Sequence, residues 1–337
     1  MFNYLEPPNA YYEFERIYTA EQWAKKQRWL INYLTEHQPD VIGFQEVFSI
    51  ESLKELVKEQ GYAYFAVVDE PQVIDDFIYK RPVVAIAAKY PIAEVASVEH
   101  DHELAKTLGL TEDFTFSRKV LRATITLPHI GNTDCYVVHF KSKRSMIELD
   151  EQKKDLTPEK NIIELLKADI AGSWGSTIQR GSEATLLIMD IISRRESTQN
   201  PMVLMGDFNN DLADGVLSHL LTNTLRFAPT FDSKTYLAKY CLNDAWQLFA
   251  KSQLNLANQN NENTVDLKRK PTHYFGASSS VLDYILLSCE FDSSYDDSFF
   301  EVSQYHTYDR HLINPEFERD DLSTDHGVVL VTLALRS

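Results

Sequence analysis

The segment Val203-Leu204-Met205-Gly206-Asp207-Phe208-Asn209-Asn210-Asp211 indicates both a fold and a chemistry. Its apolar start predicts a buried strand over Met202–Met205, and Gly206 allows an unusual turn or a close backbone approach at the strand end. If the chain stays extended, Asp207 and Asn209 point to the same side. A carboxylate there can orient or deprotonate water, and an amide can donate to a phosphoryl oxygen. The alternative is a polar turn without a chemical role.

Similar apolar runs recur outward from this segment and alternate with helical patterns. The predicted strands are Val41–Phe44, Tyr62–Val68, Val83–Ala88, Leu121–Leu127, Tyr136–Phe140, Leu282–Leu287 and Gly327–Leu335. Several are continuous apolar runs, as expected for strands covered on both faces. Because strands and helices mix without a strict βαβ repeat, the pattern favours layered sheets flanked by helices over a TIM barrel.

Three helices are predicted from capping and periodicity. Thr19, with Gln22 three residues later, predicts a first helix that ends before Pro39, and Ser49 begins a second one through Glu59. A third is predicted over Ser182–Ser193. Polar stretches without a clear strand are expected to form long surface loops, at about 99–120, 141–181, 250–272 and 290–322. We expect residues 1–337 to form a single domain.

The composition restricts the class of partner. The chain has 337 residues, with 33 Lys and Arg against 50 Asp and Glu, and a formal net charge of −17. Such a charge argues against tight, non-specific coating of DNA or of an anionic membrane, but it allows a small phosphate substrate or nucleic acid held through a local basic patch and a metal. The three cysteines, Cys135, Cys241 and Cys289, are best explained as buried thiols.

Polar side chains also lie at the ends of other predicted strands. Glu46 follows the strand of residues 41–44, His139 lies in an apolar strand, and the pair Asp325-His326 precedes the last strand. Taken singly, these residues are equally well explained as a surface acid, a core histidine and a loop pair. Asp283 lies inside an apolar strand, where a carboxylate is costly unless it is paired. His326 is a natural partner, because a carboxylate orients an imidazole and favours its protonated form.

Five short motifs in this order resemble the endonuclease/exonuclease/phosphatase (DNase I-like) superfamily. They are Gln45-Glu46, Val138-His139-Phe140-Lys141, Gly206-Asp207-Phe208-Asn209, Leu282-Asp283-Tyr284 and Asp325-His326. Each is weak alone, but together they span almost the whole chain. The resemblance implies a four-layer α/β sandwich with two packed mixed sheets between helices. It also implies a hydrolase of phosphodiesters or phosphomonoesters that depends on Mg²⁺, with Mn²⁺ as an alternative ion.

The same resemblance assigns a metal site. Glu46 would bind Mg²⁺ with help from Asn3, and Asp325 would be a further ligand or would support one. Mg²⁺ is a hard cation that binds few carboxylates and keeps several waters. The family has a full strand before the position of Asn3, whereas two residues precede it here.

The remaining roles concern the reaction itself. The resemblance assigns Asp207 to orienting or deprotonating water, and His139 and Asn209 to hydrogen bonds with the scissile phosphate. Asp283 would hold His326, whose imidazolium would stabilise the transition state. Whether Asp207 or His326 is the base stays open at this point.

Substrate recognition is less specified by the sequence. Lys141, Arg180 and His273 lie close in sequence to these motifs and are candidate substrate-binding residues, although basic side chains there are equally typical of solvated loops. A nuclease or phosphodiesterase is the leading interpretation. A small-molecule, inositol or lipid phosphate phosphatase, or an inactive binding relative, is the alternative. A zinc hydrolase has little support, since His100-Asp101-His102 lacks an H-E-x-x-H spacing.

The sequence also contains little information about the location of the protein in the cell. The sequence shows neither a run of about 18 apolar residues nor a signal peptide. We therefore expect a cytoplasmic protein without a membrane span. A secreted or periplasmic location is the alternative if a segment ahead of Asn3 is missing. The oligomeric state cannot be read from the sequence.

Overall fold

The computed structural model describes residues 3–147, 157–225, 233–259 and 267–336. The strands are β1 (Ala10–Tyr11), β2 (Val41–Val47), β3 (Tyr64–Ala66), β4 (Gln72–Ile74), β5 (Ile78–Lys80), β6 (Val83–Ala88), β7 (Ile92–Ser97), β8 (Leu121–Leu127), β9 (Gly131–His139), β10 (Met202–Asp207), β11 (Asn243–Asp244), β12 (His273–Phe275), β13 (Ser278–Ser280), β14 (Asp283–Leu287), β15 (Phe300–Tyr308) and β16 (Val328–Leu335). The helices are α1 (Ala20–His37), α2 (Ile50–Glu59), α3 (His102–Thr107), α4 (Pro158–Thr198), α5 (Ser233–Ala238), α6 (Ala245–Gln259), α7 (Arg310–Ile313) and α8 (Phe317–Asp320), with 3₁₀ turns at Ser218–Leu221 and Cys289–Phe291.

The largest sheet has six strands in the order β11-β14-β10-β9-β8-β7. Strand β10 runs parallel to β9 and antiparallel to β14, so the sheet is mixed. A second layer is formed by the three-stranded sheet β3-β6-β2 and the two-stranded sheet β15-β16. The small sheets β1-β5-β4 and β12-β13 lie outside these layers in the strand order.

Three apolar cores hold four layers together. Between the sheets, Ile86 of β6 packs in one cluster with Ile125 and Val137 of the large sheet. A second core joins the β2-β6 sheet to α1 and α2. A third joins the large sheet to α4, through side chains that include Leu187 and Ile191. The order helix, sheet, sheet, helix confirms the predicted four-layer α/β sandwich, and its mixed sheets are flanked by helices.

Several predicted elements are confirmed. Strands β6 and β8 have the predicted bounds. Helix α1 begins after Thr19, whose hydroxyl accepts the Gln22 N–H while the Gln22 side chain accepts the Thr19 N–H, which is the predicted capping box. Helix α2 follows Ser49 as predicted, although the Ser49 side chain makes no capping hydrogen bond.

The extent of α4 corrects the prediction of a surface loop over residues 141–181 and of a helix limited to Ser182–Ser193. Thr157 caps the helix, Pro158 occupies its first turn, and the rest of this helix of 41 residues contains no proline. The first half of the helix is largely exposed, and its exposed side chains include the apolar Ile162, Leu166 and Trp174, so the segment is not the polar surface loop that was expected. Residues 148–156 of the predicted loop lie outside the described residues.

Two other predicted loops also contain regular structure. Residues 250–259 belong to α6, and residues 260–266 lie outside the described residues. The segment 290–322 contains β15, which pairs with β16 along its length and alternates polar with apolar residues. Such alternation is typical of a strand with one covered face, so polarity alone was misleading here. The segment 99–120 is irregular except for α3, which Asp101 caps.

None of the helices in the described ranges has both the length and the apolar character that crossing a membrane requires.

Candidate active site

The register of three neighbouring strands brings two carboxylates and one imidazole into one row. Asp207, at the end of β10, is paired with His139 on β9 and with Asp283 on β14. Because residues at the same level of neighbouring strands lie about 5 Å apart, the register alone makes them neighbours. The predicted convergence of these residues therefore follows from the order β14-β10-β9.

The backbone at position 206, near the end of β10, requires glycine. Its φ is +145°, and a Cβ there would lie 2.0 Å from the carbonyl oxygen of Val138. A side chain at this position would therefore push β10 away from β9, and the row of Asp207 and His139 would separate. The predicted close backbone approach is confirmed.

Asp207 is buried and held by Asn209. Its Oδ1 accepts the Asn209 N–H at 2.8 Å, and its Oδ2 accepts the Asn209 side-chain amide at 3.2 Å. That amide also donates to the Phe140 carbonyl oxygen at 2.9 Å. Asn209 was predicted to donate to the phosphate, but its side-chain nitrogen is engaged within the protein. Its observed contact is with the carboxylate that it orients.

His139 completes the row on the other side. Its Nε2 lies 3.5 Å from Asp207 Oδ2, an electrostatic contact longer than a good hydrogen bond. Its Nδ1 is buried without a hydrogen-bond partner among the described residues. Burial, followed by the charges of Arg118 and His326, holds the pKa of His139 well below its usual value, so the imidazole is neutral. A neutral ring can still donate one hydrogen bond.

The charge state of Asp207 depends on its surroundings. Burial, with a further contribution from the Asp283 carboxylate, raises the pKa of Asp207 to about 7, although His326 and the Asn209 N–H oppose the shift. A carboxylate with a raised pKa is a stronger base than an exposed one.

Asp283 and His326 form the predicted pair. His326 Nδ1 lies 2.7 Å from Asp283 Oδ2. Burial lowers the pKa of His326, but the charge and hydrogen bond of Asp283 outweigh it and raise the pKa to about 10. Buried Thr272 fixes the backbone of this pair, because its hydroxyl accepts the N–H groups of Leu282 and Asp283 and its carbonyl oxygen accepts that of Gly327.

The residues predicted to bind metal meet at a second position. The Asn3 N–H donates to Glu46 Oε2 at 2.9 Å, and both residues adopt positive φ angles, 43° and 58°. Asn3 Oδ1 is buried and has no hydrogen-bond partner among the described residues. A buried carbonyl oxygen without a donor is costly, and a cation beside it would remove that cost.

One cavity of about 770 Å³ reaches these groups. Its lining includes Glu46, Asp207, Asp283, Asp325 and His326. Through their contacts with these residues, Asn3, His139 and Asn209 belong to the same site. The structure thus brings together all eight residues predicted as catalytic or metal-binding.

Two positions within this site could hold a cation. Ligand atoms of Asp207, Asp283 and His326 lie within 4.8 Å of one another. The Glu46 and Asn3 position offers oxygen atoms instead. Mg²⁺ prefers oxygen ligands, and His326 Nδ1 is already hydrogen-bonded to Asp283. The oxygen-rich position is therefore the better fit for Mg²⁺.

The predicted substrate-binding residues have different surroundings. His273 packs its ring 5.0 Å from that of His326, at the edge of the site. Lys141 directs its ammonium group to the carbonyl oxygens of Ser142 and Arg144. Arg180 is buried and donates to the Lys141 carbonyl oxygen, so it supports the loop and is not placed at the site.

Other residues of the site were not found from the sequence. The charge of Arg118 lowers the pKa of His139, and Arg118 also lies close to the hydroxyl of Tyr12. Lys26 is buried in α1 and donates to the carbonyl oxygens of Leu322 and Ser323, which hold the loop before His326. No local motif marks these side chains, because they reach the site only through the tertiary fold.

Comparison with known proteins assigns the class. The profile of the Endonuclease/Exonuclease/phosphatase family matches residues 16–292, and the chain belongs to this family. Members of the family are metal-dependent phosphoesterases, among them nucleases, phosphodiesterases and phosphatases. A search of curated protein sequences gives no significant match.

Solved structures support the same fold. The human Nocturnin catalytic domain, with a bound sulfate anion, is similar over 93% of this chain and 87% of that chain, with 14% identity and a TM-score of 0.54. TDP2 from C. elegans is similar over 92% of this chain and 70% of that chain, with 12% identity and a TM-score of 0.51. At such identities the likeness concerns the fold alone.

Proposed function

We propose that this protein is a Mg²⁺-dependent phosphoesterase that cleaves a phosphodiester by attack of water, as a nuclease or phosphodiesterase does. The observation that supports the proposal most directly is the row of His139, Asp207 and Asp283 on adjacent strands, with His326 hydrogen-bonded to Asp283 and Glu46 in the same cavity. Few structural roles require so many buried polar groups in one place.

Glu46 and Asn3 are the proposed metal ligands, with Asp325 close by. The Asn3 carbonyl oxygen lacks a partner, and the Glu46 carboxylate already faces Asn3. A divalent ion bound there would neutralise charge on the phosphoryl oxygens and support the leaving oxygen. Asp325 is exposed and lines the cavity, so it can complete the oxygen set or orient a metal-bound water.

Asp207 is the proposed water-handling group. Asn209 fixes both oxygens of its carboxylate, and burial increases its basicity. The Asp207 carboxylate accepts a proton from the attacking water, and His139 donates a hydrogen bond to a phosphoryl oxygen on the same side. His326, held protonated by Asp283, stabilises the negative charge that develops in the transition state.

A diester is favoured over a monoester by the charge of these donors. His139 is neutral, because its pKa is held far below the usual range, and His326 contributes a single positive charge. One metal ion and one imidazolium match the single charge of a phosphodiester better than the double charge of a monoester. A small-molecule, inositol or lipid phosphate phosphatase is the second candidate, and Arg118 is the cation beside His139 that supports it.

Two model substrates separate these candidates. With Mg²⁺, bis-p-nitrophenyl phosphate should be hydrolysed and p-nitrophenyl phosphate much more slowly. Asp207→Asn should lower kcat on the diester by at least about hundredfold, since general base catalysis contributes that much or more. Asp169→Asn, the same chemical change at an exposed position of α4, is the matched control. A preference for the monoester supports the second candidate, and no turnover of either ester supports an inactive binding relative.

A further inference from the structure

Two loops near His139 are held by one face of α4. The loops are residues 115–118, between α3 and β8, and residues 141–144, after β9. The side chains that hold them are spaced three and four residues apart, on one side of the helix: Ser176, Gln179, Arg180 and Glu183. The serine and the arginine donate to carbonyl oxygens at the two ends of the second loop. Because α4 packs on the large sheet, it gives both loops a rigid support.

Glu183 is the residue that joins the two loops. Its Oε1 accepts the Ser117 N–H at 2.7 Å, and its Oε2 accepts the Lys141 N–H at 2.8 Å. Gln179 donates to the same Oε1 at 3.0 Å and to the Thr115 carbonyl oxygen at 2.8 Å. Glu183 is 1% exposed, so these contacts replace the water that its carboxylate loses on folding.

A carboxylate at position 183 satisfies both loops at once. Two N–H groups from different loops need two acceptors, and a carboxylate provides one at each oxygen. A glutamine has a single acceptor oxygen, and its NH₂ group would face the N–H of one loop. Because a buried N–H without an acceptor is costly, that loop would move away from α4.

Each loop also carries a guanidinium group to the edge of the active site. Burial, followed by the charge of Glu46, raises the pKa of Tyr12, and the charges of Arg118 and Arg144 oppose this shift. Both guanidinium groups therefore lie close to the Tyr12 hydroxyl, as does the carboxylate of the proposed metal ligand. Arg118 lies close to His139 as well, since its charge contributes to the low pKa of that imidazole.

The two arginines have hydrogen-bonding capacity that the protein leaves unused. The Nε of Arg118 is buried and has no hydrogen-bond partner among the described residues. Within the described ranges, neither Arg118 nor Arg144 forms an ion pair with a carboxylate, although the chain has a net charge of −17. A guanidinium group matches the geometry of phosphate oxygens, so this pair suits an anionic ligand beside His139.

We propose that Glu183 is a positioning residue for the phosphate group of the substrate, which it serves by holding Arg118 and Arg144 at the edge of the site. The Glu183 carboxylate ties the two loops to one helix, and the two guanidinium groups bind phosphate oxygens next to His139. The inference rests on the proposed function for the identity of the ligand as a phosphate ester.

Binding of inorganic phosphate to metal-free protein tests the inference without turnover. Glu183→Gln and the paired variant Arg118→Gln/Arg144→Gln should each raise the Kd, measured by titration calorimetry, by about tenfold or more. The variant with all three substitutions should bind no more weakly than the weaker of these two, because Glu183 acts through the arginines. Glu196→Gln, at an exposed position of the same helix, is the matched control and should bind as the wild type does.

A Glu183 that only stabilises the fold gives a different result. Glu183→Gln would then lower Tm and leave the Kd unchanged, or its effect would multiply with that of the arginine substitutions, and either outcome overturns the proposal. A wild type that does not bind phosphate overturns it as well. If Glu183→Gln does not fold, Gln179→Ala replaces it, since it removes one donor and keeps both backbone contacts. It should raise the Kd about threefold in the wild type and not in the arginine pair variant; an unchanged Kd in the wild type overturns the proposal.

Ester hydrolysis separates this inference from the proposed function. With Mg²⁺, Glu183→Gln should raise KM for bis-p-nitrophenyl phosphate about tenfold and lower kcat by less than about threefold, because the loops hold the phosphate and not Asp207. If the wild type hydrolyses no ester but the phosphate titrations behave as expected, the proposed function fails and the role of Glu183 in phosphate binding stands. Normal hydrolysis with multiplying effects on the Kd refutes the role of Glu183 and leaves the proposed function intact.

Discussion

The charge of His326 depends on its hydrogen-bonded partner Asp283. In Asp283→Asn, His326 loses the charge and the charge-assisted hydrogen bond that raise its pKa to about 10. Burial, which lowers the pKa, then opposes only the weaker effects of Asp207 and Asp325. We expect the pKa to fall to about its usual value of 6.5. The imidazole is then largely neutral at neutral pH and above.

The size of the effect depends on pH. At about pH 8.5 the His326 imidazole of the wild type is protonated. In the variant only roughly 1% of the imidazole is protonated at this pH, because the protonated fraction falls tenfold for each pH unit above the pKa. At about pH 5.5 both proteins carry the imidazolium. If catalysis requires it, the wild-type to variant ratio of kcat/KM should rise by up to about hundredfold from pH 5.5 to 8.5, with Mg²⁺ saturating both enzymes at each pH.

Two measurements check this expectation. Steady-state hydrolysis of bis-p-nitrophenyl phosphate gives the ratio across pH, and NMR titration of the His326 ring in metal-free protein gives the two pKa values. Asp169→Asn should follow the wild-type profile. A ratio that does not change with pH would mean that Asp283 only positions the ring. A variant that gains on the wild type as pH rises would make neutral His326 the base in place of Asp207.

Further predictions concern the stability of the fold around the site. Gly206→Ala should destabilise by about 3 kcal/mol or more in urea unfolding, because its Cβ meets the Val138 carbonyl oxygen, whereas Gly215→Ala, which meets no atom within 4 Å, should change little. Burial raises the pKa of Asp134, but the hydrogen bonds and charge of Arg194 outweigh it and the net pKa is lowered. The folded pKa lies below the unfolded one, so this stabilisation is present above the usual carboxylate pKa and is lost as pH falls through the folded value. Unfolding between pH 7 and 3 should show this loss, and Asp134→Asn should reduce it; an unchanged pH dependence would contradict the assignment.

The sequence predicts best where a local pattern determines the result. Strands β6 and β8 are continuous apolar runs, and α1 begins with a capping box, so their positions depend on a few adjacent residues. Strand β15 was missed because polar side chains alternate along it. The first half of α4 was missed because the segment 141–181 begins with polar residues, although the helix itself exposes apolar side chains such as Ile162, Leu166 and Trp174. Their structure depends on packing and pairing with distant segments.

For the active site, too, the sequence predicts single residues but not the contacts between distant segments. His139, Asp207 and Asp283 were predictable individually, because each is polar beside an apolar run. Their common level in the sheet was not, since it depends on the register of β9, β10 and β14. Thr272 and Arg118 had no signal at all, because their roles are contacts with residues far away in the sequence.

The most direct test of the account is the metal dependence of hydrolysis in Glu46→Gln, with Glu55→Gln, an exposed position of α2, as its matched control. EDTA should abolish hydrolysis of bis-p-nitrophenyl phosphate by the wild type, and Mg²⁺ should restore it. Glu46→Gln should need at least about tenfold more Mg²⁺ for half-maximal rate, because it loses a charged ligand. Hydrolysis that resists EDTA, or a Mg²⁺ requirement that Glu46→Gln leaves unchanged, would contradict a metal-dependent phosphoesterase centred on this residue.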